Sequence, residues 1–169
     1  MSNKTPGQAQ GFCFLGEHEY TVDSQRRIAL PKSWRQEDAS DNQFYLFSGR
    51  ENSLQLVPAD IFAELLNKLR KVSFADARTA IAMGTIGSLG EKVVCDRQGR
   101  FTLTPKLMAH AGITNKALLI GAITTIQIWE PAIWEERKMS NEASLDVIEA
   151  LQEQPTDNFT EILKNAVQR

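Results

Sequence analysis

The sequence contains few of the residues that mark secreted or membrane proteins. Its 169 residues include only two cysteines, Cys13 and Cys95, which form no CxxC pattern and do not resemble the disulfide framework of a small secreted domain. No apolar run approaches the roughly 18 residues that a membrane span needs, and the polar first 11 residues lack the apolar region of a signal peptide. We therefore expect a cytoplasmic protein with both thiols reduced and buried, and the sequence alone leaves open a disulfide between them.

Motifs for catalysis and cofactor binding are also missing. No GxGxxG or Walker pattern occurs, and the two histidines, His18 and His110, have no metal-ligating partner at useful spacing. No nucleophile–base pair or carboxylate pair is recognisable. We expect no enzymatic activity, no cofactor, no metal and no small-molecule substrate, with both histidines at the surface or at helix caps.

The net charge is small, at −2, but it is unevenly distributed along the chain. Residues 1–129 carry 15 basic and 12 acidic side chains, whereas residues 130–169 carry 4 basic and 9 acidic ones. Because local patches set the field that a partner meets, the basic body is compatible with a nucleic-acid partner. We expect the acidic segment to avoid DNA and to pack its amphipathic helices on the body or on a neighbouring subunit.

One short pattern occurs twice in the chain. The stretches YTVDSQRRIALP and VVCDRQGRFTLTP each contain an aspartate, three further residues, an arginine, an alternating apolar strand and a proline. Asp23 and Arg27 in the first stretch correspond to Asp96 and Arg100 in the second. Hydrophobic alternation is enough to form the strands, so the fold alone does not explain why the Asp-x-x-x-Arg turn occurs twice. The repetition therefore indicates a functional role for the turn.

The repeat continues beyond the turn. Residues 45–62 align without gaps with residues 117–134 at an offset of 72, whereas the Asp-x-x-x-Arg turns differ by 73. We place the additional residue at Pro31 against Pro105. A duplicated unit of about 70 residues is too long for a solenoid repeat and indicates two pseudo-equivalent subdomains.

Each unit predicts the order strand, turn, strand, short helix, strand, turn, strand and helix. Thr104 and Pro105 are typical of an N-cap and a first helical position, and Gly112 of a C-terminal stop. Pro58 opens a longer helix, and the segment between the units should begin as a helix that its glycines loosen. Further helical segments are predicted around residues 133–138, 145–152 and 158–167. Two such units can interleave their hairpins and bury both apolar faces.

The order of these motifs resembles the MraZ family, bacterial transcriptional regulators related to the AbrB-type swapped-hairpin DNA-binding domains. The matching stretches are FLGEHEYTVDSQRRIALPKSWR, VVCDRQGRFTLTPKLMAHAGI and ALLIGAITTIQIWEPAIW, which cover about two-thirds of the chain in the family's order. A single Asp-x-x-x-Arg is a weak motif. Two copies, each followed by the expected strand and helix, are specific.

The resemblance implies a mainly β fold with α-helices, of the α+β class. Its centre would be a tandem duplicated, double-split swapped-hairpin barrel with short peripheral helices. We expect a flexible N-terminus, a first swapped-hairpin unit, a helical or loop linker, a second swapped-hairpin unit and an acidic helical tail, at residues 1–10, 11–72, 73–90, 91–138 and 139–169.

The resemblance also implies a function. Members assemble into rings of subunits and bind short promoter repeats upstream of the division and cell-wall gene cluster, usually as repressors. For this chain it therefore implies a nucleoid-associated homo-oligomer that binds double-stranded DNA, including its own promoter. The alternative is an oligomeric structural or interaction protein of the same fold without specific DNA binding.

Arg27 and Arg100 are the leading DNA-binding candidates, because the Asp-x-x-x-Arg turns supply the DNA-contacting surface in that family. A guanidinium can contact guanine O6 and N7 bidentately or bind a phosphate. The alternative is an ion pair with the aspartate of the same turn, which contributes at most about 1 kcal/mol at a surface. The repetition of the turn favours the DNA-binding interpretation.

The acidic and glycine residues of the turns are expected to position the arginines. Phosphate repels a carboxylate, whereas an aspartate that opens a turn can accept backbone N–H bonds, so Asp23 and Asp96 are interpreted as turn-positioning residues. Gly99 is assigned the same role, and Gly49 and Gly121 are expected at turns.

Further basic residues cluster with the two arginines. Arg26, Lys32 and Arg35 accompany Arg27, and Arg97 and Lys106 accompany Arg100. They would neutralise phosphates, which increases affinity without specificity, or form an ordinary solvated surface. The sequence does not decide between the two interpretations.

Two features depart from the family's pattern. The first turn ends in Arg26 and Arg27 where the family usually has glycine and arginine, and the segment before the second turn keeps only Arg78 and Lys92. Both changes alter the charge next to the predicted interface, and the small number of basic residues before Asp96 motivates the alternative without specific DNA binding.

Overall fold

The computed structural model describes residues 13–37, 42–71 and 76–152. The chain divides after Glu136 into two compact units, the first of which contains all the described strands. The expected flexible N-terminus at residues 1–10 and the predicted helix around residues 158–167 lie outside the described residues.

The described strands and helices follow the predicted order in both repeats. The strands are β1 Glu17–Thr21, β2 Arg27–Ala29, β3 Gln43–Ser48, β4 Leu54–Pro58, β5 Glu91–Val94, β6 Arg100–Thr102, β7 Lys116–Ala122 and β8 Thr125–Trp129. The helices are a 3₁₀ turn at Lys32–Trp34, α1 Ala59–Leu69, α2 Ala77–Ser88, α3 Pro105–Ala111, α4 Pro131–Arg137 and α5 Asn141–Gln152. The mixed α+β class is therefore confirmed.

The strands form two antiparallel sheets. Six of them pair in the order β1-β7-β8-β4-β3-β5, and β2 pairs with β6 in a separate two-stranded ribbon. Strands β1 and β5 occupy the two ends of the larger sheet. Closure into a swapped-hairpin barrel therefore stays a prediction.

Most of the pairings join a strand of one repeat to a strand of the other. This is true of β1–β7, β3–β5, β4–β8 and β2–β6. In two of these ladders a residue lies opposite its own repeat counterpart, because Ile28 pairs with Phe101 and Gln55 pairs with Gln127. Self-pairing of this kind requires an approximate two-fold axis through the ribbon and through the β4–β8 pair.

The register corrects the alignment of the repeats. Leu46 pairs with Leu56 in the first repeat and Leu119 pairs with Ile128 in the second, and all four side chains are fully buried. Leu46 therefore corresponds to Leu119 at an offset of 73, whereas Leu56 corresponds to Ile128 at an offset of 72. The offset changes in the hairpin turns that follow β3 and β7.

Two predicted correspondences change as a result. At an offset of 73, Pro31 corresponds to Thr104 and not to Pro105, which agrees with their positions as the N-cap residues of the 3₁₀ turn and of α3. Gly121 lies within β7 and not at a turn. A Cβ on Gly121 would lie only 2.6 Å from the backbone nitrogen of Leu15. A glycine at this position therefore allows β7 and the segment at Leu15 to approach each other closely.

The caps of α3 confirm their prediction. The hydroxyl of Thr104 accepts a hydrogen bond from the backbone N–H of Leu107 at 3.5 Å. Gly112 has a φ of +66° at the C-terminal end, and the N–H of Ile113 donates to the carbonyl of Met108 at 3.0 Å. A left-handed glycine followed by this bond is the usual way to satisfy the last carbonyls of a helix.

Helix α2 differs from its prediction. The side chain of Asp76 accepts the backbone N–H of Thr79 at 2.9 Å and so caps the helix, which then continues through Gly84 and Gly87 to Ser88. The expectation that these glycines loosen the segment was wrong, because a glycine in a helix costs only about 1 kcal/mol and does not break it.

The core lies between the sheets and takes side chains from both repeats. The buried set includes Ile28, Leu30, Leu46, Leu54, Leu56, Phe101, Leu103, Leu107, Leu119, Ile126 and Ile128. Cys95 is buried as predicted, whereas the same prediction for Cys13 was wrong because this residue is exposed, and both thiols are free. Among the described helices, none is long and apolar enough to cross a membrane.

The second unit contributes helix α5 to the described residues. The Ser140 hydroxyl accepts the backbone N–H of Ala143 at 3.2 Å and caps this helix. Its large apolar side chains, among them Leu145, Ile148 and Leu151, are exposed. Their packing against another surface stays a prediction.

Candidate nucleic-acid interface

The first Asp-x-x-x-Arg turn is built around the carboxylate of Asp23. Its Oδ1 atom accepts the backbone N–H groups of Gln25 and Arg27, both at 2.8 Å. Its Oδ2 atom accepts the Nε–H of the Arg27 side chain at 2.8 Å. The N–H of Arg26 donates to the carbonyl of Asp23 at 2.9 Å and closes the β-turn.

The second turn repeats this arrangement. Asp96 Oδ1 accepts the backbone N–H groups of Gln98 at 2.8 Å and Arg100 at 2.9 Å, and Asp96 Oδ2 accepts the Arg100 Nε–H at 2.8 Å. The N–H of Gly99 donates to the carbonyl of Asp96 at 2.8 Å. Two segments 73 residues apart therefore build the same local structure.

These bonds lower the pKa of both aspartates below its ordinary value. The backbone N–H of Arg27 is the largest influence that lowers the pKa of Asp23, and the Arg27 guanidinium and the Gln25 N–H lower it further. Arg100 and Gln98 lower the pKa of Asp96 in the same order. A carboxylate bonded in this way can hold its arginine in one position.

Each arginine forms an ion pair with its aspartate through only one of its N–H groups. Arg27 pairs with Asp23 and Arg100 pairs with Asp96. The Arg27 side chain is nevertheless 29% exposed and the Arg100 side chain 38% exposed. A guanidinium carries five N–H donors, and only the Nε–H group is engaged. The terminal groups of both side chains make no hydrogen bond within the described part of the chain, so they are available to a ligand.

The β2–β6 ribbon places both arginines on the same face. One residue pair, Ile28 with Phe101, lies between them in the ladder, and both of its side chains point into the core. Because side chains alternate along a strand, Arg27 and Arg100 point outward. They are diagonal neighbours across the ribbon, which corresponds to a backbone separation of about 7–8 Å.

The fourth residue of each turn has a left-handed backbone. Arg26 has a φ of +58° and Gly99 has a φ of +74°. The carbonyl of Arg26 accepts the N–H of Leu103 at 2.8 Å, and the carbonyl of Gly99 accepts the N–H of Leu30 at 2.9 Å. Each turn is thus bonded to the residue that directly follows the ribbon strand of the other repeat, which links the two turns.

Arg35 explains why only the second turn requires glycine. Its guanidinium lies against Gly99, where a Cβ would overlap with the Nε atom and come within 2.6 Å of Cζ. The Arg35 Nε–H donates to the carbonyl of Leu30 at 2.8 Å, so the side chain is anchored in place. The counterpart of Arg35 at an offset of 73 is Met108, which packs against the core.

The other predicted cations lie near the turns. Arg26 and Arg97 belong to the turns, Lys32 lies on the 3₁₀ turn that follows β2, and Lys106 lies in the first turn of α3. All four are exposed, and no described residue forms a hydrogen bond or an ion pair with their side chains. Arg35, which sequence patterning grouped with them, is instead half-buried and anchored.

Sequence reasoning missed one residue of this surface. Thr102 lies directly opposite Arg27 in the ladder, and it is exposed on the same outward face. The alternation around the buried Phe101 is the signal that could have identified it. A threonine hydroxyl can donate to or accept from a nucleic acid.

The two histidines contact residues outside the two Asp-x-x-x-Arg turns. His110 Nε2 is 3.0 Å from the carbonyl of Gly49, at the C-terminal end of α3. His18 is half-buried, and its ring meets that of Trp34 edge-on at 5.0 Å. Over the residues described here, no group of three or more potential metal ligands occurs.

Comparison with known proteins identifies the family. The family model described as "MraZ protein, putative antitoxin-like" matches the chain twice, at residues 13–83 and 90–165. The Transcriptional regulator MraZ of Clostridium tetani is 33% identical over 135 residues, which are 79% of this chain and 90% of the relative. That of Moorella thermoacetica is 33% identical over 146 residues, which are 85% and 97%. The chain belongs to the MraZ family.

Proposed function

We propose that the chain is a sequence-specific DNA-binding transcriptional regulator whose two Asp-x-x-x-Arg turns form the DNA-contacting surface. One observation carries this proposal: two turns with the same hydrogen bonds present two aspartate-held arginines on one outward face. The relatives bear the name transcriptional regulator, which supports the same function.

The aspartates make the arginines suitable for recognition. A guanidinium held through its Nε atom loses less conformational freedom on binding, and its terminal N–H groups can contact guanine O6 and N7. Asp23 and Asp96 also cancel much of the charge of Arg27 and Arg100. The attraction to phosphates must therefore come from the unpaired cations, Arg26, Arg97, Lys32 and Lys106 in this proposal.

The spacing of the arginines fits one groove of DNA. A backbone separation of about 7–8 Å is smaller than the major-groove width of about 12 Å and corresponds to about two base-pair steps. Arg27 and Arg100 can therefore enter the same groove. Thr102, on the same outward face, would lie close to the same bases.

The finer features of the proposal follow from the family. The two units, residues 11–72 and 91–138, would close into a swapped-hairpin barrel, and several copies would form a ring. A ring presents many turns to short promoter repeats and gains avidity, because each further contact is intramolecular. The targets would be repeats upstream of the division and cell-wall gene cluster, including the chain's own promoter, with repression as the outcome.

Two experiments test this function. Genomic fragments retained by the purified chain are sequenced, and affinity for the enriched fragment is measured with and without the substitutions Arg27→Ala and Arg100→Ala. Enrichment of promoter repeats that both variants bind more weakly than the native chain supports the proposal. Light scattering of the full chain tests the ring, and a mass of 18.9 kDa at micromolar concentration would contradict it.

The ion pairs favour one alternative function. Because each arginine is already bonded to an aspartate, the repeated turn could serve only to shape an oligomer of the same fold. An assembled chain that enriches no fragment above a random background would select this alternative.

A further inference from the structure

The half-buried side chain of Arg35 occupies the space that a side chain on the second turn would need. A Cβ built on Gly99 would overlap with the Arg35 Nε atom and would lie 2.6 Å from Cζ. The first turn carries Arg26 where the second has Gly99, and the counterpart of Arg35 is Met108, which packs against the core. A side chain from the first repeat therefore fills the place of the missing side chain on the second turn.

Leu30 connects Arg35 to the same glycine. The Leu30 N–H donates to the carbonyl of Gly99 at 2.9 Å, and the Leu30 carbonyl accepts the Nε–H of Arg35 at 2.8 Å. Leu30 is fully buried, so the close packing of the core fixes the backbone that makes both bonds. Gly99 is thus held by a hydrogen bond from Leu30 and by a steric contact with Arg35.

The chain on either side of Arg35 is also anchored. The preceding residue, Trp34, is buried, and its indole N–H donates to the carbonyl of Leu15 at 3.2 Å. The backbone N–H of the following residue, Gln36, donates to the side chain of Asn42 at 2.8 Å. Arg35 therefore extends towards the second turn from a segment that is fixed on both sides.

The contact lies directly next to Arg100. Gly99 precedes Arg100, and the Gly99 N–H closes the turn that presents the arginine. The charge of Arg35 also reaches Cys95, the residue before the turn. Burial and the charge of Asp96 raise the pKa of this thiol to about 12, and the Arg35 guanidinium opposes them. Arg35 therefore acts on both ends of the second turn.

We infer that Arg35 is a positioning residue for DNA binding, which holds the second turn so that Arg100 presents its terminal N–H groups to the DNA. This inference rests on the proposed function. Arg35 acts through Arg100 and does not touch the DNA itself. Its effect is confined to the second turn, because Gly99 is the turn residue that it contacts.

Hydrogen exchange of the DNA-free chain tests the support of the turn. The substitution Arg35→Met introduces the residue found at the counterpart position and removes the guanidinium. The backbone N–H groups of residues 98–100 should exchange about tenfold faster, which corresponds to about 1.4 kcal/mol of local stability, while those of residues 25–27 should be unchanged. Arg70→Met, which removes an exposed arginine at the end of α1, is the matched control. Unchanged exchange in the second turn, or equal acceleration in both turns, would overturn the inference.

A double-mutant cycle tests the role in DNA binding. Affinity for the enriched fragment is measured for the native chain, for Arg35→Met, for Arg100→Ala and for the double variant. Arg35→Met should weaken binding by the native chain about tenfold and should have little further effect once Arg100→Ala is present. In an Arg27→Ala background it should still weaken binding about tenfold. A general loss of stability would instead lower the affinity in both backgrounds.

A second variant changes the same contact from the other side. In Gly99→Ala, the new Cβ overlaps with the guanidinium and displaces it. Binding should weaken in the native and Arg27→Ala backgrounds but not further in the Arg100→Ala background. Adding Arg35→Met to Gly99→Ala should restore part of the lost melting temperature, because it removes the overlap. A Gly99→Ala chain that binds DNA as tightly as the native chain would overturn the inference even if Arg35→Met fails to fold.

The outcomes separate the inference from the function on which it rests. If the native chain enriches no fragment, both are overturned. If the native chain binds, and Arg35→Met either leaves the affinity unchanged or lowers it equally in the Arg27→Ala and Arg100→Ala backgrounds, only the inference is overturned. A slope of log K against log salt that falls by about one for each participating turn in Arg35→Met would show that Arg35 contacts a phosphate directly, which also overturns the inference.

Discussion

Ile28 lies directly opposite Phe101 in the β2–β6 ladder, and the two residues occupy the same position in successive repeats. The approximate two-fold axis therefore passes between them. Each residue of the first turn has an equivalent residue in the second turn with a similar backbone conformation. Differences between paired variants consequently report on the side chains that differ, such as Arg26 and Gly99.

Replacing Arg27 or Arg100 by alanine should weaken specific DNA binding by about 1–3 kcal/mol for each guanine that the native side chain binds. The fold should survive, because a partly exposed ion pair contributes at most about 1 kcal/mol. Fluorescence anisotropy on the enriched fragment and thermal unfolding measure the two effects. Arg70→Ala, an exposed arginine at the end of α1, is the matched control. Unchanged affinity in both turn variants would remove the turns from the interface.

Replacing Arg26 by glycine should raise the free energy of unfolding by about 1–2 kcal/mol, because its left-handed backbone disfavours a residue with a Cβ. It should also lower the slope of log K against log salt by about one for each participating turn. Arg26→Ala is the control, since it removes the charge but keeps the strain. Reduced stability together with an unchanged slope would show that Arg26 is a structural residue.

Acid should loosen both turns. The pKa values of Asp23 and Asp96 are lowered in the folded chain, chiefly by backbone N–H bonds. Their contribution to stability is therefore present above the unfolded value of about 3.9 and is lost as the pH falls through the lower folded values. The native chain should lose stability more steeply below about pH 4 than the Asp23→Asn, Asp96→Asn double variant. Parallel pH profiles of the two chains would contradict this.

The two thiols should react differently. Burial, together with the negative charge of Asp96, raises the pKa of Cys95 to about 12, whereas Cys13 is exposed. A thiol reagent at pH 8 should therefore modify one cysteine in the native chain and two in denaturant. The Cys13→Ser variant should show no fast modification. Rapid reaction of Cys95 in the native chain would mean that its strand opens frequently.

The sequence by itself determined the local structures, because their causes lie within a few residues. Hydrophobic alternation is enough for the strands on either side of each turn, and Thr104 and Gly112 cap α3 through bonds to near neighbours. The duplication and the equivalence of Arg27 with Arg100 were visible for the same reason. The family followed from the order of these local motifs.

Only the tertiary structure decided how distant segments meet. The pairing of Gln55 with Gln127, the close approach that requires Gly121, and the contact of Arg35 with Gly99 each join residues tens of positions apart. Exposure of Cys13 and burial of Cys95 depend on such contacts in the same way. Periodicity reports only which face of a strand is apolar. The partner strand and its register depend on how both repeats fill one core, and the outward face that carries Arg27 and Arg100 follows from that packing.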